Sequence, residues 1–224
     1  MTRIIGANTS LFNKQRNNLP LGKFNGAYFY ALEIEKIIIP LVKTDRPWDL
    51  LGKYSTGSFD NAIVFLHNNV NHEAIYGSWI GKGFKNQIFV ANQKITYDYV
   101  KSKNLPCIFL PLSIDIADVQ RFKTEKTKEA CYVGNQWKWR SEDIKKYVPK
   151  NVDFAPQDLE REELLKFMAP YKKCYAISRC ALEAKALGCE VLKCHSYLDP
   201  DDFPLIDSRE AAKMLQKELD KYDK

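Results

Sequence analysis

Residues 175–192 read Tyr-Ala-Ile-Ser-Arg-Cys-Ala-Leu-Glu-Ala-Lys-Ala-Leu-Gly-Cys-Glu-Val-Leu. An apolar run, Cys174 to Ile177, stops at Ser178, a natural helix N-cap residue. Ala181, Leu182, Ala184, Ala186 and Leu187 are good helix formers. Gly188 stands where a helix needs a residue tolerant of positive φ, and Glu190-Val191-Leu192 then restarts a strand. The stretch therefore predicts strand, very short loop, helix and strand, the repeating unit of an α/β fold. Main-chain amides and the positive dipole end of the helix would face whatever lies beyond the first strand. Arg179 would reinforce that anion-binding edge, with Glu183 one turn inside.

Length and composition agree with this reading. A chain of 224 residues, 45% hydrophobic and 28% charged, can bury a sizeable core and is far from the composition of a disordered polymer. Its longest apolar run, Ile37 to Val42, is interrupted by Pro40, well short of the ~20 residues that span a bilayer. The opening residues lack the apolar region of a signal peptide, so the expectation is a soluble, cytoplasmic protein. Six cysteines show no CxxC spacing and are read as reduced, buried thiols, Cys189 and Cys194 included, with no metal site. The net charge of +6 fits an anionic partner without demanding one.

Upstream, Ile4-Ile5 reads as a short strand. Asn25 and Gly26 suit a tight turn leading into a helix from Tyr28 to Lys36. Lys36 to Val42 reads as a strand. Asp60 to His67 is the clearest strand of this half, apolar without alternation and so expected to be central and covered on both faces. Asn86 to Asn92 is another, followed by an amphipathic helix near Gln93 to Lys103 and a strand at Cys107 to Leu112. The pattern restarts at Ala130 to Gly134, continues with a strand at Asn151 to Phe154 and a helix from Glu160 to Met168, and closes with an amphipathic helix from Asp207 to Tyr222. Strands alternating with helices predict parallel sheets, here in two Rossmann-like domains, 1–115 and 116–224. The phosphate-binding signatures GxGxxG and GxxxxGK[ST] are both missing.

Leu182-Glu183-Ala184, Ala186-Leu187-Gly188 and Glu190-Val191, following a strand that ends in a small polar residue, resemble the nucleotide-binding segment of GT-B glycosyltransferases. The resemblance implies two Rossmann-like domains with parallel sheets facing across a cleft. It also implies that Glu183 binds ribose hydroxyls and that the helix start at Ser178, Arg179 and Cys180 holds the diphosphate. Pro111, Ile114, Asp115 and Phe122 are similar to the family's interdomain hinge, with Ser113 in place of its glycine, and Asp115 is read as fixing that hinge. Gly134 falls where the family sets a glycine-rich loop against the donor phosphates, and Lys138 and Arg140 fall near its basic pair. Trp137 and Trp139 flank these charges. His67, at the end of a central strand, matches a histidine that touches the transferred sugar; Asn25 and Gly26 join the substrate-binding candidates. Each has a plainer alternative: a surface helix residue for Glu183, a solvated basic loop for Lys138 and Arg140, a hydrogen-bonded loop histidine for His67.

The activity implied is transfer of a hexose, from UDP-glucose as the leading donor, to a hydroxyl acceptor, with no cofactor and no metal. Compact enzymes of this style in phage genomes glycosylate hydroxymethylated pyrimidines, so DNA is one expected acceptor and the host cytoplasm the expected location. Loops such as Lys82-Gly83-Phe84-Lys85 carry the basic and aromatic residues that DNA contact uses. The chain is expected as a monomer or homodimer. Tyr175 stands where many retaining members carry a second glutamate, which leaves retention or inversion open. It also supports the alternative of a non-catalytic module that keeps the fold and binds nucleotide or nucleic acid.

Overall fold

The computed structural model describes residues 4–5, 26–50, 59–66, 80, 83–134, 141–157, 159–196 and 198–222. Its contacts divide into two compact units, the first holding Ala27–Pro111 and Ser208 onward, the second Leu112–Asp207. Each unit is built on its own sheet, and every strand pairing in both sheets is parallel. The fold class is therefore α/β with two Rossmann-like sheets.

The sheet of the first unit contains β1 (Ile4–Ile5), β2 (Trp48–Asp49), β3 (Ile63–Leu66), β4 (Ile88–Ala91) and β5 (Cys107–Phe109), side by side in chain order. β3 is the middle strand, and all of its residues are buried, as its unbroken apolar run requires. Ala62, Val64 and Leu66 pack with Phe89, Ala91 and Val100, whereas Phe65 turns to Trp48 and Tyr30. Asn61, Asn86 and Asn104 each take a positive φ just before β3, β4 and β5, a conformation asparagine tolerates better than other residues with a Cβ.

Helix α1 (Gly26–Glu33) does not give way to a strand. It continues as a π-helical turn, Ile34–Ile38, and a 3-10 turn, Ile39–Leu41. The strand expected over Lys36 to Val42 is thus corrected. Ile34 and Ile38 recur at helical spacing and are buried, and Pro40 sits in the first turn of the 3-10 segment, where a missing N–H costs nothing. The run of β-branched residues favours a strand, but packing overrides propensity. α2 (Lys94–Ser102) follows β4 and buries Thr96 and Val100.

In the second unit, β6 (Lys128–Tyr132), β7 (Asp153–Phe154), β8 (Tyr171–Tyr175) and β9 (Glu190–Leu192) are arranged in the order β7-β6-β8-β9. Its helices are α3 (Ile116–Gln120), α4 (Ser141–Tyr147), α5 (Arg161–Met168) and α6 (Ser178–Ala186). Asp115 caps α3 by accepting from Asp118 N at 3.3 Å. Glu160 and Glu163 form a reciprocal capping box on α5, which fixes its start as the acidic lead-in predicts. The terminal helix α7 (Ser208–Leu219) belongs to the first unit, where it packs on the π-helical turn and where Ser208 Oγ donates to the buried Glu33 carboxylate at 2.6 Å. Among the described residues, no helix is long and apolar enough to cross a membrane.

Candidate functional site

The strand order of the second sheet decides where a ligand can sit. From β6 the chain moves outward to β7, then returns past β6 to β8 and on to β9. Connections leaving β6 and β8 consequently diverge, and in an open parallel sheet a crevice opens beyond the carboxyl ends of the two strands at such a reversal. The ladder between them continues as far as Val133 N donating to Tyr175 O at 3.0 Å. Beyond that rung lie Gly134 on one side and Ser178 on the other. The first sheet runs in simple chain order and has no such reversal among its described strands.

Ser178 is not the N-cap. Ile177 holds that position, with φ −134° and ψ 164° and no side-chain capping bond, and Ser178 is the first helical residue with φ +58°. The chain passes from β8 to α6 through only Ala176 and Ile177, and one residue in the left-handed region makes that sharp turn. A serine there is strained by about 1 kcal/mol or more. The ladder of α6 begins with Ala181 N to Ile177 O at 3.4 Å, so the N–H groups of Ser178, Arg179 and Cys180 point out of the helix start. No acidic side chain occupies the first turn. At the other end, Gly188 N donates to Lys185 O and Cys189 N to Ala184 O, both at 2.9 Å, a Schellman closure. Gly188 has φ +83°, and a Cβ there would meet the flexible side chains of Lys123 at 3.5 Å and Lys126 at 3.9 Å; the positive φ, not crowding, requires glycine.

Glu183 lies on the buried face of α6 and is only 2% exposed. Its Oε1 accepts from Arg179 Nε at 2.9 Å and from Arg161 Nε at 3.1 Å. Arg161 Nη1 reaches on to Asp118 Oδ2 at 3.0 Å. Arg121 Nη2 pairs with Asp118 Oδ1 at 2.7 Å, so a five-residue ionic cluster joins α3, α5 and α6. Sequence reading missed Arg161 and Asp118, because no periodicity links them to Glu183 and only the fold brings them together. Two residues past β6, Gly134 lies in a bend where a Cβ would stand 3.0 Å from Tyr132 Oη, and its carbonyl accepts from Gln157 Nε2 at 3.3 Å.

The segment after β9 supplies a second group at the same edge of the sheet. His195 Nε2 is 3.7 Å from Asp143 Oδ2, and Ser196 Oγ donates to Asp143 Oδ1. Tyr147, one turn further along α4, has its phenol held below the usual range, chiefly through hydrogen bonding with Lys146 and then with Ser196.

Cys107, Cys131 and Cys174 lie on strands, Cys180 lies on α6, and Cys189 and Cys194 flank β9; all six are free and all but Cys180 are buried. Cys131 and Cys174 are register partners on β6 and β8 with sulfurs 3.7 Å apart. Sharing its proton in a hydrogen bond with Cys131, together with burial, pushes the Cys174 thiol well up. Burial also raises Cys189, against the opposing pull of Lys126 Nζ at 3.2 Å. Among the described residues no three His, Cys, Asp or Glu side chains converge as metal ligands.

The structure thus brings Gly134, Ser178, Arg179, Cys180 and Glu183 into one unit, the first four around the reversal and Glu183 beneath it. Gly26 is the first residue of α1. Asn25, His67, Lys138 and Arg140, with Trp137 and Trp139, lie outside the described residues. Two all-parallel Rossmann-like sheets, one with a reversal, define an α/β architecture but by themselves no ligand and no reaction. The chain matches no family model, no curated protein and no solved structure.

Proposed function

We propose that this chain is a nucleotide-sugar-dependent glycosyltransferase of GT-B type, moving a hexose from a donor such as UDP-glucose to a hydroxyl acceptor. One observation carries the reading: the strand reversal between β6 and β8 coincides with the segment whose residues resemble the family's donor-binding motif. The diphosphate would lie over Gly134 and the start of α6, and the helix dipole would favour its negative charge. Lys138 and Arg140 would supply the cations that stabilise the departing nucleoside diphosphate, since charge on that group grows toward the transition state. His67 would position the transferred sugar. A hydroxymethylated pyrimidine in DNA is the acceptor we favour, given the basic and aromatic loops of the sequence.

A thermal-shift screen of nucleoside diphosphate sugars, followed by assay of nucleoside diphosphate release, tests this reading. A donor at one hundred times its dissociation constant should stabilise the protein by about 2.7 kcal/mol. Release should accelerate when a hydroxylated acceptor is added. No stabilisation by any donor would end the proposal.

A second reading, a nucleotide-binding module without turnover, is favoured by two residues. Tyr175 replaces a family carboxylate, and Glu183 Oε1 is already bonded to Arg161 and Arg179. Binding of donor with no release in the presence of any acceptor would select it.

A further inference from the structure

β9 is an edge strand, two strands removed from β6, whereas α4 leads from β6 to β7 on the far side of the sheet. For His195 and Ser196 to reach Asp143 in the first turn of α4, the segment 193–196 must pass over the carboxyl end of β8. Asp143 takes His195 and Ser196 on its two oxygens, and further along the chain Lys185 Nζ of α6 donates to Pro200 O at 2.7 Å and Phe203 O at 2.6 Å. The His195 and Asp143 side chains are 8% and 17% exposed, so the pair is shielded from the solvent that weakens surface ion pairs.

We propose that His195 and Asp143 are positioning residues for a nucleoside diphosphate at the β6–β8 reversal, and that their ion pair, formed when His195 is protonated, holds segment 193–196 across that edge. The proposal rests on the donor-site reading above. Among the described residues, charged and titratable groups near the segment include Lys146 and Tyr147 of α4, of which Tyr147 meets Ser196 and Lys193, and further along the chain Asp199, which meets Lys193 and Lys185 of α6. An imidazole pairs with a carboxylate as a cation only when protonated, and the ordinary histidine range lies near ~6.5. The sign follows: the pair is present below that range and is lost as pH rises through it.

The test is calorimetry with UDP-glucose on the wild type, Asp143→Asn and His195→Gln, at about pH 6 and about pH 8. UDP-glucose is a diphosphate diester, so the probe's own phosphates do not titrate in this interval. Wild-type affinity should fall by about fivefold or more on going to the higher pH, the lower end of ordinary coupling between sites. Both variants should bind at the weaker level at either pH. In the ligand-free wild type, amide hydrogen exchange over 193–196, corrected for its intrinsic pH dependence, should quicken over the same interval. Equal wild-type affinity at the two pH values, or a pH dependence that survives in both variants, overturns the proposal. If UDP-glucose binds the wild type at neither pH, the donor-site reading falls and the positioning role with it; the exchange measurement then still reports whether the ion pair holds the segment.

Discussion

Replacing Glu183 by alanine removes the acceptor shared by Arg179 and Arg161 in the ionic cluster under α6. The Arg179 side chain is 8% exposed and that of Glu183 3%, so the change removes a buried carboxylate from a buried guanidinium rather than breaking a surface contact. Removing one partner of a buried pair costs about 3–5 kcal/mol. Arg161 is 22% exposed and keeps Asp118 at 3.0 Å, which places the expected loss near the lower end, about 3 kcal/mol. At roughly 2–4 °C per kcal/mol for a chain of this size, the melting temperature should drop by about 6–12 °C. Urea denaturation followed by circular dichroism measures the loss directly. Replacing both members, Arg179→Met with Glu183→Leu, should recover most of it, because a well-packed apolar pair can match a buried ionic one. A loss under about 1 kcal/mol for Glu183→Ala, the range of exposed pairs, would refute the argument that this cluster is dry. Of the two sequence readings of Glu183, a ribose ligand or a surface helix residue, the second is corrected: the side chain is buried on two arginines. Any activity measured on the variant must therefore be scaled to its folded fraction.

Ser178→Gly should leave stability unchanged or raise it by about 0.5–1 kcal/mol, since glycine accepts the +58° φ without strain, whereas the β-branched Ser178→Val should lower it by more than about 1 kcal/mol; equal stabilities of the two by urea titration would deny the left-handed turn. Cys107 is pushed up to about 12 by burial, so a thiol reagent at neutral pH should modify the half-buried Cys180 first and reach Cys107 only on unfolding, an order read by peptide mass mapping. Burial, then the hydrogen bond to Asp153 at 2.6 Å, raises the Tyr171 phenol above its usual range. Its contribution to stability is accordingly present below about pH 10, the unfolded value, and is lost as pH rises through the folded one; phenolate absorbance should show one tyrosine fewer ionising at about pH 10 in Tyr171→Phe only when the protein is unfolded.

Much of this fold was legible because its signals are local. The Asp60–His67 run has no alternation, and a strand without alternation belongs in the middle of a parallel sheet, where β3 lies. Gly188 marks the end of α6, and the acidic start of α5 marks its cap. The errors have physical causes too. Lys36–Val42 carries strand propensity but is claimed by helix packing through Ile34 and Ile38. β2 is two residues long and leaves no periodicity to read. Ser178 looks like a cap because serine usually is one; the shortness of the β8–α6 turn instead moves it inside the helix with a positive φ. The strand–helix–strand order of residues 175–192 could be read because it lies on one continuous segment, but the links of Arg161 to Asp118 and Glu183 and the Asp143–His195 contact join distant stretches of chain and left no local trace.

Helix α6 ties stability and binding together in one element. Its sides, through Ala181, Leu182, Glu183 and Ala184, are buried in the second unit, while its first turn faces the crevice at the strand reversal. A ligand held at that turn would gain its electrostatic stabilisation only while the helix is formed and docked, and the docking depends on the ionic cluster beneath. Binding energy would therefore appear as stability of the second unit. Weakening the cluster would raise the apparent dissociation constant by depopulating the competent state, even though every group that touches the ligand is still in place. Arg179 is the residue on which these roles meet. Its backbone N–H belongs to the helix start, and its guanidinium Nε is committed to Glu183. A change that frees Arg179 from Glu183 would add a cation near the crevice while loosening the helix that shapes it, so charge at the site and order at the site pull in opposite directions.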